Sequence, residues 1–222
     1  MTDTNTNTNT SWCQGCNPEN CSGCVPKVQA QKIYAGIGSR ETPMHILQVM
    51  GHIAGELALR GWTLRSGAAD GADTAFEKGC DAAAGKKEIF LPWQGFNGRS
   101  TTPSVLVADR LEAFVTAKAH AEYFHPAWDR CSSAAKKLHT RNVFQIGGSD
   151  LASTVDMVVC WTAGGQRGGG TGQALRIAEH LEVPIFDLAV PGIIEDLWAF
   201  VKELEDEGYL EEEPGRTRAE RG

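Results

Sequence analysis

The sequence predicts an α/β fold in which a parallel sheet carries helices on both faces, with a small four-cysteine knuckle ahead of it. Three observations lead there. Short apolar runs alternate with amphipathic stretches from Lys32 onward, the pattern of strand–helix–strand units rather than of a bundle or sandwich. Glycine supplies 25 of the 222 residues, above the usual share of about 7%, and it clusters in three places that each follow a predicted strand. Four of the seven cysteines, Cys13, Cys16, Cys21 and Cys24, bunch near the start, while Cys80, Cys131 and Cys160 sit alone in apolar segments.

Taken in order, residues 1–12 (MTDTNTNTNTSW) are a polar Thr/Asn repeat. Such a segment buries too little apolar surface to offset its ordering entropy, so it reads as a disordered lead. Residues 13–30 form the knuckle, 31–205 the α/β body, and 206–222 an acidic and polar tail. In the body, KIYAGI (32–37) reads as a buried strand. Glu41-Thr42-Pro43 then offers an N-cap and a first-turn proline, and Ile46, Met50, Ile53 and Leu57 recur at helical spacing until Gly61. The unit repeats with WTLR (62–65) as strand, SGAADGAD (66–73) as glycine turn, and a helix with Ala72, Ala75, Phe76, Gly79, Cys80 and Ala83 on one face. Gly85 ends that helix and KEIFLPW is the third strand.

Residues 104–143 read as two consecutive helices, the second opened by Pro126 and burying Trp128, Cys131, Ala135 and Leu138. DMVVCW (156–161) is the fourth strand, followed by GGQRGGGTG and a helix carrying Ala174, Ala178 and Leu181; PIFDL is the fifth strand. A closing helix turns Ile194, Leu197, Trp198, Val201 and Leu204 inward and runs into the tail.

Charge and hydropathy exclude some functions. The net charge is −7, and seven carboxylates without a base fall in residues 203–213, so the body is balanced and lacks the basic excess of a protein that grips duplex DNA by its phosphates. No apolar run approaches the roughly 18 to 20 residues of a bilayer span. No basic-then-apolar segment marks a signal peptide, which leads us to expect a cytoplasmic protein with reduced thiols.

In open parallel sheets, ligands bind beyond the carboxyl ends of the strands, where the winding reverses. Gly36-Ile37-Gly38-Ser39-Arg40, Ser66-Gly67-Ala68-Ala69-Asp70-Gly71 and Gly164 through Gly172 all follow predicted strands, so they are expected to converge. Gly168-Gly169-Gly170-Thr171-Gly172 bares the backbone, allowing N–H groups and the following helix N-terminus to meet a phosphate. Arg40 and Arg141 could pair with that phosphate, with surface salt bridges as the alternative. Asp70 and Asp73 could supply a catalytic carboxylate, cap the helix or hold a ribose hydroxyl. Trp93 and Trp161 could stack on a base or form an apolar lid. His120, His125 and His139 show no ligand spacing, and no metal is assigned to them.

GIGSR, SGAADGAD and GGGTG, in this order on these elements, resemble the SLOG superfamily of Rossmann-like nucleotide-binding proteins, over roughly residues 32–190. Its members include the DNA-processing protein A (Smf) type and the Lonely Guy phosphoribohydrolases. HPAWDRCSSAAKKLHTRNVFQIGG and the strand VVCW are most similar to phage and bacterial DNA-processing-A-like members. The resemblance implies a nucleotide-derived ligand and a homo-oligomer. It matches Gly36, Gly38, Ser39 and Arg40 to the first ligand loop, Gly67, Asp70, Gly71 and Asp73 to the second, and Gly169, Gly170, Thr171 and Gly172 to the third. It places Arg141 and Asn142 at a pocket-facing helix end. The Lonely Guy form of the third loop is PGGxGTxxE, whose glutamate helps cleave an N-glycosidic bond; here that position is Ala174, and Glu179 lies well over a helical turn beyond it.

Cys13-x-x-Cys16-x4-Cys21-x-x-Cys24 presents two CxxC pairs, the four thiolates of a tetrahedral structural zinc, with an iron–sulfur cluster as the alternative. Two main classes of function follow for the body: capture of a phosphorylated nucleotide or nucleotide-derived signal of the ADP-ribose, NAD or cyclic-nucleotide type, or N-glycosidic hydrolysis of one, with Asp70, Asp73 and Arg141 as catalytic candidates. Single-stranded DNA binding is the third.

Overall fold

The computed structural model describes residues 31–209. The lead, the knuckle of Cys13, Cys16, Cys21 and Cys24, and the tail beyond Tyr209 lie outside the described residues.

Six strands form one parallel sheet: β1 (Ile33–Gly36), β2 (Thr63–Ser66), β3 (Lys87–Leu91), β4 (Val105–Val107), β5 (Met157–Cys160) and β6 (Ile185–Asp187). Six helices accompany them: α1 (Met44–Leu59), α2 (Ala72–Ala82), α3 (Phe114–Tyr123), α4 (Ser133–Gly147), α5 (Gly169–His180) and α6 (Ile193–Tyr209). The sheet order is β4-β3-β2-β1-β5-β6. The chain steps outward on one side of β1 and then returns to its other side, so the winding reverses between β1 and β5.

Alternation along the strands divides the core. Tyr34, Leu64, Ile89 and Val159 pack with α1, α2 and α6 through Met50, Ile53, Phe76 and Leu197 on one face. Ala35, Phe90, Val158 and Cys160 pack with α3, α4 and α5 through Ala117, Phe144, Leu175 and Ala178 on the other. Strands buried on both faces read as continuous apolar runs, which is why β1, β3 and β5 were legible. Arg65 in β2 is an exception: it is buried and satisfied by Glu88 Oε2 at 2.6 Å and by the backbone carbonyl and hydroxyl of Ser153.

The structure corrects the sequence reading in four places. Residues 105–107 are a sixth strand on the sheet edge, not part of a helix. The second helix of that region begins at Ser133 rather than Pro126, because Pro126–Cys131 folds as a turn and a 3-10 turn, and Ser132 Oγ caps α4 by accepting from the Ala135 N–H at 3.2 Å. Pro43 occupies the N-cap of α1 without a side-chain cap; Thr42 instead donates its hydroxyl to the Ser39 carbonyl at 2.7 Å. Leu181, read as part of the helix, is the C-cap of α5 and is exposed. The closing helix runs to Tyr209.

Candidate functional site

A cavity of about 560 Å³ lies at the carboxyl ends of β1 and β5, where the winding reverses. The loop after β1 contributes Gly38, Ser39 and Arg40, the loop before α2 contributes Ala69, α2 itself Asp73, and the segment after β5 contributes Gly168, Gly169, Gly170 and Thr171, with Ala174 on α5 behind them. α4 lays Arg141 and Asn142 along the remaining side. The three glycine segments therefore do converge. Gly36, Ser66, Gly67, Asp70, Gly71 and Gly172 do not line the cavity; they shape its walls, save Asp70, which is exposed.

Their positions show how. A Cβ at Gly36 would press into Phe76 and Leu64 of the core. Ser66 donates its hydroxyl to the Gly36 carbonyl at 2.7 Å, fastening the ends of β1 and β2. Gly71, with φ +80, lets the second loop pass against the backbone of Ser39 and Arg40. Gly172 packs on the Arg167 carbonyl. The backbone N–H groups of Ile37 and Ser39 donate to Val159 and Trp161 carbonyls, so the first loop is tied to the end of β5. Trp93 packs edge-to-face on Phe96, and Trp161 lies half-buried against the core; neither lines the cavity.

Gly67 has a specific reason to be glycine. The Arg141 guanidinium fills the space where its Cβ would stand. From there Arg141 Nη1 reaches Asp73 Oδ2 at 3.3 Å, and the Ala69 N–H donates to the same oxygen at 3.3 Å. Both side chains are almost fully buried. Burial pushes the Asp73 carboxyl up and outweighs the lowering pull of Arg141, while burial pushes the Arg141 guanidinium down. Arg141 Nε and Gln145 Nε2 are buried and have no hydrogen-bond partner among the described residues, although both residues line the cavity. Buried donors of this kind are uncommon and call for a partner. Arg141 is mid-helix in α4 rather than at a helix end.

The third loop ends in the bare first turn of α5. The N–H groups of Gly169, Gly170 and Thr171 have no intrahelical acceptor by helix geometry. A Cβ at Gly168 or Gly169 would meet nothing within 4 Å, so the backbone is open there. Gly169 has φ +56, a conformation that glycine adopts at no steric cost. Asn142 holds the loop in place: its Nδ2 donates to the Gly170 carbonyl and to Gln173 Oε1, each at 3.1 Å. Arg40 is exposed and forms no ion pair among the described residues. Glu179 is committed to an ion pair with Arg167 on the outside of α5.

Sequence reasoning missed Gln145, His139, Leu138 and Thr162 in the cavity wall. None stands in a recognisable motif, and only the helical phase of α4 with Arg141 and Asn142 would have brought the first three in. It also missed a meeting of side chains: His125, Cys131 and His139, scattered in sequence, present ligand atoms all within 4.8 Å of one another. Burial, aided by the Arg176 charge, holds the His125 and His139 imidazoles below the usual histidine range.

No protein-family model matches the chain, and no curated protein does. Among solved structures, the molybdenum cofactor carrier protein of Chlamydomonas reinhardtii is similar at 17% identity and a TM-score of 0.47, over 79% of this chain and 86% of that one. DNA processing protein A of Helicobacter pylori, described for its single-stranded DNA binding mode, aligns at 18% identity and a TM-score of 0.49 over 80% of this chain and 81% of that one. DNA processing protein A of Streptococcus pneumoniae aligns at 14% identity and 0.41, over 84% of this chain and 62% of that one. Among the described residues no helix is long and apolar enough to cross a membrane. These neighbours are 14% to 18% identical to this chain.

Proposed function

We propose that the chain binds a phosphate-bearing nucleotide or nucleotide-derived small molecule, of the ADP-ribose, NAD or cyclic-nucleotide type, in the cavity between the ends of β1 and β5, for sensing or sequestration. The observation that supports this is the open first turn of α5 at Gly168–Gly170, which borders a cavity also lined by Arg40 and Arg141. Free N–H groups and the positive helix end favour an anion. Arg40 supplies charge, since the Arg141 charge is already opposed by Asp73. Ser39 and Asn142 remain as neutral polar groups for the sugar or base side of such a ligand.

Binding without efficient turnover is the reading we favour over hydrolysis. N-glycosidic cleavage needs a positioned acid or base. Ala174 puts a methyl group in the cavity where the resemblance would put a glutamate, Asp70 lies outside the cavity, and Asp73 is held by Arg141. For the N-terminal module our reading remains that Cys13, Cys16, Cys21 and Cys24 hold one zinc ion.

Titration calorimetry with AMP, ADP-ribose and NAD as probes tests the proposal. At least one should bind the wild-type chain, and Gly169→Asp, which sets a carboxylate over the helix start, should weaken it roughly tenfold or more. If no probe binds, or if Gly169→Asp leaves affinity unchanged, the cavity is not a phosphate site. Release of free base at an enzyme-like rate, abolished by Asp73→Asn, would transfer the assignment to a hydrolase.

A further inference from the structure

We infer that His125, Cys131 and His139 form a binding site for a zinc-type divalent cation, separate from the N-terminal cysteines and independent of what the cavity binds. The three residues come from different pieces of structure. His125 follows α3, Cys131 closes the 3-10 turn Trp128–Arg130, and His139 lies in the middle of α4. Nothing in the sequence spacing unites them. The turn that displaced the expected start of α4 from Pro126 to Ser133 is what folds His125 and Cys131 back over His139.

The distances suit the ion. With Zn–S near about 2.3 Å and Zn–N near about 2.0–2.1 Å, tetrahedral ligation separates a sulfur from a nitrogen by about 3.6 Å. Cys131 Sγ lies 3.6 Å from His125 Nε2. The imidazoles of His125 and His139 have ring centroids 4.2 Å apart, and all three ligand atoms fall within 4.8 Å. One thiolate and two imidazoles are a donor set that selects zinc-like ions over magnesium or calcium.

The surroundings orient His139 for the task. Gln173 Oε1 already accepts from Asn142 Nδ2 at 3.1 Å, and Gln173 Nε2 donates to the Ala121 carbonyl, so the amide's oxygen faces His139. His139 Nδ1, 3.3 Å from that oxygen, is therefore the protonated nitrogen, and Nε2 keeps its lone pair. A ligating histidine whose other nitrogen donates to a carbonyl is the usual outer-shell arrangement of zinc sites. His125 Nδ1 accepts the Ala127 N–H at 3.1 Å, so in this arrangement Nε2 carries the ring proton; ligation through Nε2 requires that proton to move to Nδ1 and the Ala127 contact to be given up. On binding, the Cys131 S–H bond breaks, its proton passes to solvent, and an S–Zn bond forms. Three protein ligands leave a fourth position for water. Because His139 also lines the cavity, the ion would sit in its wall.

Zinc content and affinity of the full-length chain, by elemental analysis and chelator competition, test this by difference, so zinc held elsewhere cancels. Wild type should hold one more zinc per chain than Cys131→Ala, and this equivalent should weaken about a hundredfold or more, at or above the upper range for loss of an outer-shell partner. Cobalt should give a thiolate-to-metal absorption band that diminishes in Cys131→Ala, while magnesium should not compete. His125→Ala, at a half-buried position, provides the same comparison should Cys131→Ala unfold. Equal zinc content and affinity in wild type and a folded variant would overturn the assignment.

Discussion

At the scale of single residues, the cavity depends on glycines that do different work. Gly169 leaves the start of α5 open, whereas Gly67 admits Arg141 to its place over the second loop. A methyl group at Gly67 would displace the guanidinium and leave Asp73 buried without its partner. Breaking a buried ion pair in this way costs about 3–5 kcal/mol. Gly67→Ala should therefore lower the urea midpoint of unfolding sharply, while the exposed Asp70→Ala should leave it almost unchanged; equal effects would show that the Arg141–Asp73 pair does not organise the loop. The glycine pattern was visible in the sequence, but this division of labour was not, since it depends on Arg141, which is far away along the chain.

At the scale of elements, the strands and helices that carry long periodic patterns were legible. β4 was not, because Val105-Leu106-Val107 is a short apolar run on a sheet edge and offers neither length nor alternation. The start of α4 was misplaced because Pro126 is as compatible with a turn as with a first helical turn, and the Ser132 cap was overlooked. β3 and the loop that follows it are held to α2 by a polar cluster in which Glu77, buried, accepts from Lys87 Nζ at 2.8 Å and from both terminal nitrogens of Arg99. Burial pushes the Glu77 carboxyl up, but the hydrogen bonds from Arg99 and Lys87 outweigh it, and the net direction is down. A carboxyl held below its unfolded value contributes stability that is complete above that value, about 4.3, and is lost as pH falls through the folded one. The gap in unfolding free energy between wild type and Glu77→Gln should then narrow on acidification below about pH 4. A gap that stays constant down to pH 3 would remove Glu77 from the acid response.

At the scale of the whole molecule, sheet order decides where a ligand can go. The reversal between β1 and β5 leaves a crevice that all three glycine segments border, the second of them through Ala69. Convergence of the three loops was legible because each follows a strand end. The contribution of α4 was only half legible: Arg141 and Asn142 were singled out, but their burial and their partners Asp73, Gly170 and Gln173 follow from packing that no local pattern records. The His125–Cys131–His139 meeting was invisible for the same reason. The central claim is that this crevice holds a phosphate-bearing nucleotide derivative. Native mass spectrometry of the chain purified from cells, followed by denaturation and identification of what is released, tests it most directly. The released species should be a small molecule that contains both a phosphate and a nucleoside, and it should be lost when Gly169 is replaced by Asp. A co-purified ligand without phosphate, retained by Gly169→Asp, would contradict it.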